Sequence, residues 1–234
     1  MGIHVEISPA CSGLVFMLQC LQYPFAGCLL ELLPFTWDPA YEFPEKENSM
    51  LITFTAYIMI PVYTLLFVAG SDWFTTNFSV LGNIAGRNEA FVLWGLMVGI
   101  YFFVCLRKIF RRMPEKPAGT WLVPLALVLL DFAVTTPYLP EMFPLKAYLH
   151  IVFAFLAAAC LILCVFLTVL KLYQRDPREY RPYLWGIGII VAVSAFLFIL
   201  AGIVSSALEI FFTVSMTWMV YGLYKNMTAG DGVL

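Results

Sequence analysis

Between Leu51 and Tyr224 the chain carries six apolar runs, at 51–70, 91–106, 121–138, 148–170, 184–203 and 206–224. A helix needs roughly 20 apolar residues to cross the ~30 Å hydrocarbon core of a bilayer. None of the runs alternates polar and apolar residues in the manner of a strand. Unpaired backbone polar groups are not tolerated in hydrocarbon, so runs of this kind must fold as helices. The composition agrees, with 62% hydrophobic and 12% charged residues, where a soluble domain carries about 25% charged. The expected fold class is therefore all-α, a polytopic integral membrane helical bundle of six spans, and the expected partner is the lipid bilayer. A net charge of −2 supplies no bulk attraction to nucleic acid.

The organisation follows from these runs. Residues 50–226 form the bundle and 227–234 a short tail. In residues 1–49, Ser8–Phe35 is apolar but broken by Gln19, Gln22, Pro24 and Glu31. It can be a seventh span, a re-entrant piece or an interfacial helix. Asp38, Glu42, Glu45 and Glu47 then make an acidic linker. Met1–Ile7 has no Lys or Arg, so a cleavable signal peptide is not expected. The six cysteines show no CxxC pair and no zinc spacing.

Loop charge orients the spans. Arg107, Lys108, Arg111, Arg112 and Lys116 fall in one loop region, 107–119, and Lys171, Arg175, Arg178 and Arg181 in another, 171–181. Together they hold nine of the 13 basic residues. The positive-inside rule puts both loops, and the C-terminus, on the cytoplasmic side of a plasma membrane. Residues 71–88, 137–147 and the turn near 204–206 then lie outside. Trp73, Trp121, Tyr138, Tyr148, Tyr183 and Tyr224 stand near span ends as an interfacial belt. Gly95 and Gly99 make a GxxxG, which serves close helix packing by default and an oligomer contact as the alternative. Asn77-Phe78-Ser79 matches a glycosylation sequon.

Three ionisable residues fall inside spans, Asp131, His150 and Glu209, all in the outer half. A charge at the centre of a span costs about 2.5–3.5 kcal/mol on insertion scales, so such residues pair, face water or work. Ser206, Glu209, Thr213 and Thr217 follow 3, 4, 4 spacing and share one helix face. Thr135 shares a face with Asp131. The outer loop adds Asp72, Asn77, Ser79 and Asn83. These residues are candidates for a polar cluster between the third, fourth and sixth spans, with 71–86 as its lid; Asp72 and Arg87 bracket that lid and can pair. Mutual hydrogen bonding, a cavity for a small-molecule or lipid ligand or for protons, and a catalytic or metal site remain open readings. One His with two carboxylates is the least that could hold a metal, but no metal-ligand spacing supports one and no cofactor is implied. HExxH, GxSxG and P-loop motifs are absent from the sequence.

Two local resemblances add expectations. Val5–Gly13, VEISPACSG, resembles the cysteine motif of the exosortase and archaeosortase membrane transpeptidases, in which a Cys works with later Arg or His residues. That resemblance implies Cys11 with Arg87 and His150 as catalytic candidates; the helices around them do not follow that family's pattern. The layout from residue 50 to 225 resembles the six-span Frag/DRAM/Sfk-like superfamily and its bacterial relatives of unknown function. Its members often carry an Ile-Ser-Asp/Glu-Leu-Gly type run after the first span. Here that run is Phe78-Ser79-Val80-Leu81-Gly82, with Val80 in place of the acid. This resemblance implies a fold and no chemistry.

Three functions compete on these grounds. The first is a non-enzymatic scaffold, sensor or lipid-associated protein with a closed, internally paired cluster. The second is a small transporter using Asp131 and Glu209, although no internal repeat or pair of broken helices supports it. The third is a membrane-embedded hydrolase or transpeptidase using His150 with a carboxylate or Cys11. The absence of catalytic motifs favours the first.

Overall fold

The computed structural model describes residues 45–83 and 86–229. Ser8–Phe35 and Cys11 lie outside them. Helix starts and stops shape the local structure, and proline recurs at the starts. The first span begins as α1 (Glu45–Phe54), loosens into a π turn (Thr55–Met59) and resumes as α2 (Ile60–Phe67). Within the π turn the Ile60 N–H reaches back five residues to the Thr55 carbonyl. The next donor in that pattern would be Pro61, which has no N–H. The Ala56 carbonyl instead accepts the Trp218 indole N–H at 3.2 Å. Thr53 and Tyr221 share a hydroxyl–hydroxyl contact of 2.8 Å beside it, so the first span is fastened to the last.

A five-residue helix, α3 (Phe78–Gly82), precedes the long α4 (Asn88–Arg112). Then come α5 (Leu122–Thr135), α6 (Pro144–Tyr173), α7 (Pro177–Ala201) and α8 (Ser206–Ala229). Pro144 and Pro177 occupy the first turns of α6 and α7, where a missing N–H is harmless. The Asp176 carboxylate caps α7 by accepting from the Arg178 and Glu179 N–H groups. Gly202, at φ +70°, ends it.

The structure is an all-helical bundle with five helices long and apolar enough to cross a membrane among the described residues. The expected third span is the exception. Its helix has only 14 residues, about 21 Å at 1.5 Å per residue, short of the ~30 Å core. A turn through residues 118–121 delays its start. Thr136, held extended at ψ 118° ahead of Pro137, ends it. The fourth span begins at Pro144, earlier than the apolar run at 148 suggests.

Helices adjacent in sequence from α4 to α8 pack on one another, and α8 closes back onto α4 and the first span. α4 is the centre: 56% of its most apolar window is buried, against 11% for α7. Gly95 and Gly99 both face α5. A Cβ on Gly95 would lie 2.8 Å from Val134, and one on Gly99 3.2 Å from Leu127. The GxxxG face thus packs against α5 within the chain. At the basic end, Lys171 Nζ meets Glu115 at 2.6 Å and ties the 113–121 loop to α6. The Lys171 ammonium, helped by Arg175, holds the Glu115 carboxyl below the usual carboxylate range.

Candidate functional site

The segment between α2 and α4 builds the site. The Asp72 carboxylate accepts from the Phe74 N–H at 2.8 Å and the Thr75 N–H at 3.1 Å. These two backbone donors hold its carboxyl below the ordinary range. The turn leaves two loop carbonyls facing α8. The Ser206 N–H donates to the Thr76 carbonyl at 2.7 Å, and the Ala207 N–H to the Trp73 carbonyl at 2.8 Å. The first N–H groups of a helix have no intrahelical acceptor, and here the loop supplies it.

Next, Asn77 caps α3, its side-chain oxygen accepting from the Val80 N–H at 2.7 Å. The Phe78 N–H donates to Glu209 Oε2 at 2.7 Å. The Phe78 ring is fully buried, centred 5.2 Å from Phe67 and 4.9 Å from Trp94. Gly82 lies flat on Phe91, where a Cβ would sit 2.8 Å from the ring. Asn83 Nδ2 donates to the Ser79 carbonyl at 2.6 Å. The lid expected from the sequence is therefore docked.

At the centre, Ser79 Oγ meets His150 Nε2 at 2.5 Å. The other ring nitrogen, Nδ1, faces the Ala133 carbonyl at 2.6 Å and the Thr136 carbonyl at 3.1 Å. Only an N–H can satisfy a carbonyl, so Nδ1 carries the hydrogen, and in the neutral ring Nε2 accepts from the Ser79 hydroxyl. Four residues beyond Ala133 is Pro137, whose missing N–H leaves that carbonyl without its helical donor. Thus a proline frees a carbonyl and a ring N–H takes it, as at Ala56 and Trp218. Phe91 and Tyr138 flank the imidazole at 6.5 and 5.6 Å. His150 is 3% exposed and Ser79 8%.

The sequence candidates fall into two groups. Ser79, His150 and Glu209 share the docked α3, with Asn77 as its cap. The others are placed separately. Asp72 shapes its own turn. Arg87 Nη1 donates to the Phe67 carbonyl at 3.2 Å, at the C-terminal end of α2 where a cation is favoured. Asp72 and Arg87 thus each hold a partner other than the pairing expected of them. Asp131 is buried in α5, and its carbonyl accepts the Thr135 hydroxyl at 2.6 Å. Ser206 contributes its backbone. Thr213 and Thr217 are buried on the α8 stripe, linked by the Thr217 hydroxyl on the Thr213 carbonyl at 2.7 Å. His150 lies six residues into α6 rather than two, about 9 Å along the axis from Pro144.

Among the described residues no three of His, Cys, Asp and Glu are grouped so as to hold a metal ion. The sequon is also spoken for: Asn77 caps α3 and the Ser79 hydroxyl is buried on His150. The site residues that sequence reasoning missed are backbone groups, namely the Phe78 N–H and the Ala133 and Thr136 carbonyls. Pro137, four residues after Ala133, was the readable signal for one of them.

Fold and site together define a helical integral membrane bundle with a polar loop seated in one end. No family model, no curated protein and no solved structure matches the chain.

Proposed function

We propose that this chain is a non-enzymatic multi-pass protein of the plasma membrane, a scaffold, sensor or lipid-associated factor. Its buried polar residues serve to hold the outer loop in place. One observation carries the reading: both ionisable groups that reach the loop are already engaged by it. Glu209 accepts from the Phe78 backbone, and His150 holds the Ser79 hydroxyl on one nitrogen and two carbonyls on the other. Such a layer has the closed, internally paired character expected of an architectural cluster. The run 78–82 that forms α3 is the one that resembles the motif of the six-span Frag/DRAM/Sfk-like proteins, which supports that kinship as part of the proposal. Loop charge supports a cytoplasmic basic end and an outer 71–83 loop. Cysteine-accessibility mapping tests the sides: positions 73–75 label from outside and 174–176 only after permeabilisation, and the reverse pattern overturns the orientation.

A second reading draws on the same contact. A hydroxyl donating to an imidazole whose other nitrogen is fixed by a carbonyl is also the arrangement of an activated nucleophile and its base. This favours a hydrolase over the transporter, whose Asp131 and Glu209 sit on separate contacts, with Ser79 beside His150 in place of the Cys11 or carboxylate partner expected from the sequence. A fluorophosphonate probe on native membranes separates the two. The architectural reading expects no label at Ser79, and labelling lost in Ser79→Ala replaces it with the hydrolase.

A further inference from the structure

α7, the least buried of the long apolar helices among the described residues, shares a groove with α6. An open trough of about 580 Å³ lies between α6 and α7. Ala159, Leu163 and Phe166 line one side, and Leu184, Gly188 and Ala192 the other. Its walls are almost wholly apolar. A Cβ built on Gly188 meets nothing within 4 Å. Two residues earlier on the same helix, Gly186 is pressed against Met219, its Cβ position 2.3 Å from the Met219 methyl. One glycine therefore lets α7 approach α8, and the other leaves the groove open.

Charge marks one end of this trough. Arg181, Leu184, Gly188 and Ala192 follow 3, 4, 4 spacing, so the arginine stands on the groove-lining face of α7. The lining runs from about 4.5 to about 16 Å beyond Arg181 along the axis, at 1.5 Å per residue. Arg181 and Arg178 are exposed. Trp185, one turn on from Arg181, is 65% exposed and suits the headgroup boundary. A basic side chain at that boundary with an apolar trough leading away from it matches the two halves of one molecule.

We propose that the groove between α6 and α7 is a binding site for an anionic phospholipid. An acyl chain lies over Gly188 and the headgroup phosphate pairs with Arg181. The small residues at 159, 188 and 192 leave apolar space that suits an acyl chain, since voids forfeit dispersion contacts on their lining. The positive end selects the anionic headgroup over a zwitterionic one. This assignment is independent of the role proposed for the loop.

The test uses the full chain purified in detergent and titrated with phosphatidylglycerol or phosphatidylcholine, with bound lipid counted by native mass spectrometry. The wild type is expected to prefer phosphatidylglycerol by about five-fold, the scale of one basic side chain at an anionic surface. Arg181→Gln removes the preference, leaving the two lipids equal. Gly188→Leu lowers retention of both while the melting temperature in lipid-free detergent stays unchanged, because the new side chain enters open space. Equal binding of both lipids by the wild type, or an undiminished preference in Arg181→Gln, overturns the proposal. So does a dimer that Gly188→Leu abolishes, which would seat a second copy of the chain in the groove.

Discussion

His150 Nε2 and Ser79 Oγ meet at 2.5 Å although 71 residues separate them in the chain. The contact joins a membrane-spanning helix to a loop that the sequence alone presents as a polar interruption. Because both groups are buried, losing one leaves the other with an unmet hydrogen bond, which costs about 1–3 kcal/mol. Ser79→Ala and His150→Ala are each expected to lower stability on that scale. The double variant should fall short of their sum by roughly 0.5–3 kcal/mol, as contacting residues do. Thermal unfolding of the four proteins in one detergent measures the coupling, and strict additivity would remove the contact from the account.

Glu209 gives a graded prediction. Its Oε2 accepts the Phe78 N–H, a role that an amide oxygen can also fill. Glu209→Gln keeps an acceptor in place and should leave the loop docked. Glu209→Ala should release α3 and expose the Ser206 and Ala207 amides that the loop now covers. Amide exchange at residues 73–83 and 206–207 distinguishes the two variants; equal exchange in both would mean that the charge is what matters.

The first span supplies a test of the proline logic. Trp218→Phe removes the donor to the Ala56 carbonyl and should destabilise by about 1 kcal/mol, the net worth of a typical hydrogen bond. Pro61→Ala restores a backbone N–H that can serve that carbonyl. In the Pro61→Ala background the same tryptophan change should therefore be nearly silent. A full-sized effect in both backgrounds would show that Trp218 acts through packing alone.

The loop also has a pH signature. Backbone donors at Phe74 and Thr75 hold the Asp72 carboxyl below its ordinary range. The folded value is lowered, so the turn is stabilised above the unfolded range and loses that contribution as pH falls through the folded value. Protection of the amides at residues 74–76, relative to their intrinsic exchange rate at each pH, should fall on acidification below the ordinary aspartate range, and Asp72→Asn should flatten the response. Protection lost only above that range would carry the wrong sign for this carboxylate.

Much of this was legible in the residues. The apolar runs mark the bundle, the 3, 4, 4 spacing marks the buried α8 stripe, and Glu209 and His150 stand out as ionisable groups inside spans. What was not legible lies in the backbone. Hydropathy cannot see that Thr136 ahead of Pro137 shortens α5, or that Pro144 starts α6 a turn early and carries His150 deeper. Partners such as the Phe78 N–H and the Ala133 carbonyl belong to no side chain, so no residue type announces them. Prolines do announce them: Pro61 and Pro137 each mark a carbonyl that some other donor must satisfy. Gly95 and Gly99 were ambiguous because a small-residue face suits a neighbouring helix and a second copy equally well.

His150 and Glu209 hold the 71–83 loop against the bundle. Amide exchange at Phe78 in the wild-type protein, reconstituted in a bilayer, tests it most directly. The structure predicts strong protection of that N–H, lost in Glu209→Ala and weakened in His150→Ala. Exchange at the rate of an open loop in the wild type would show that neither side chain holds the loop.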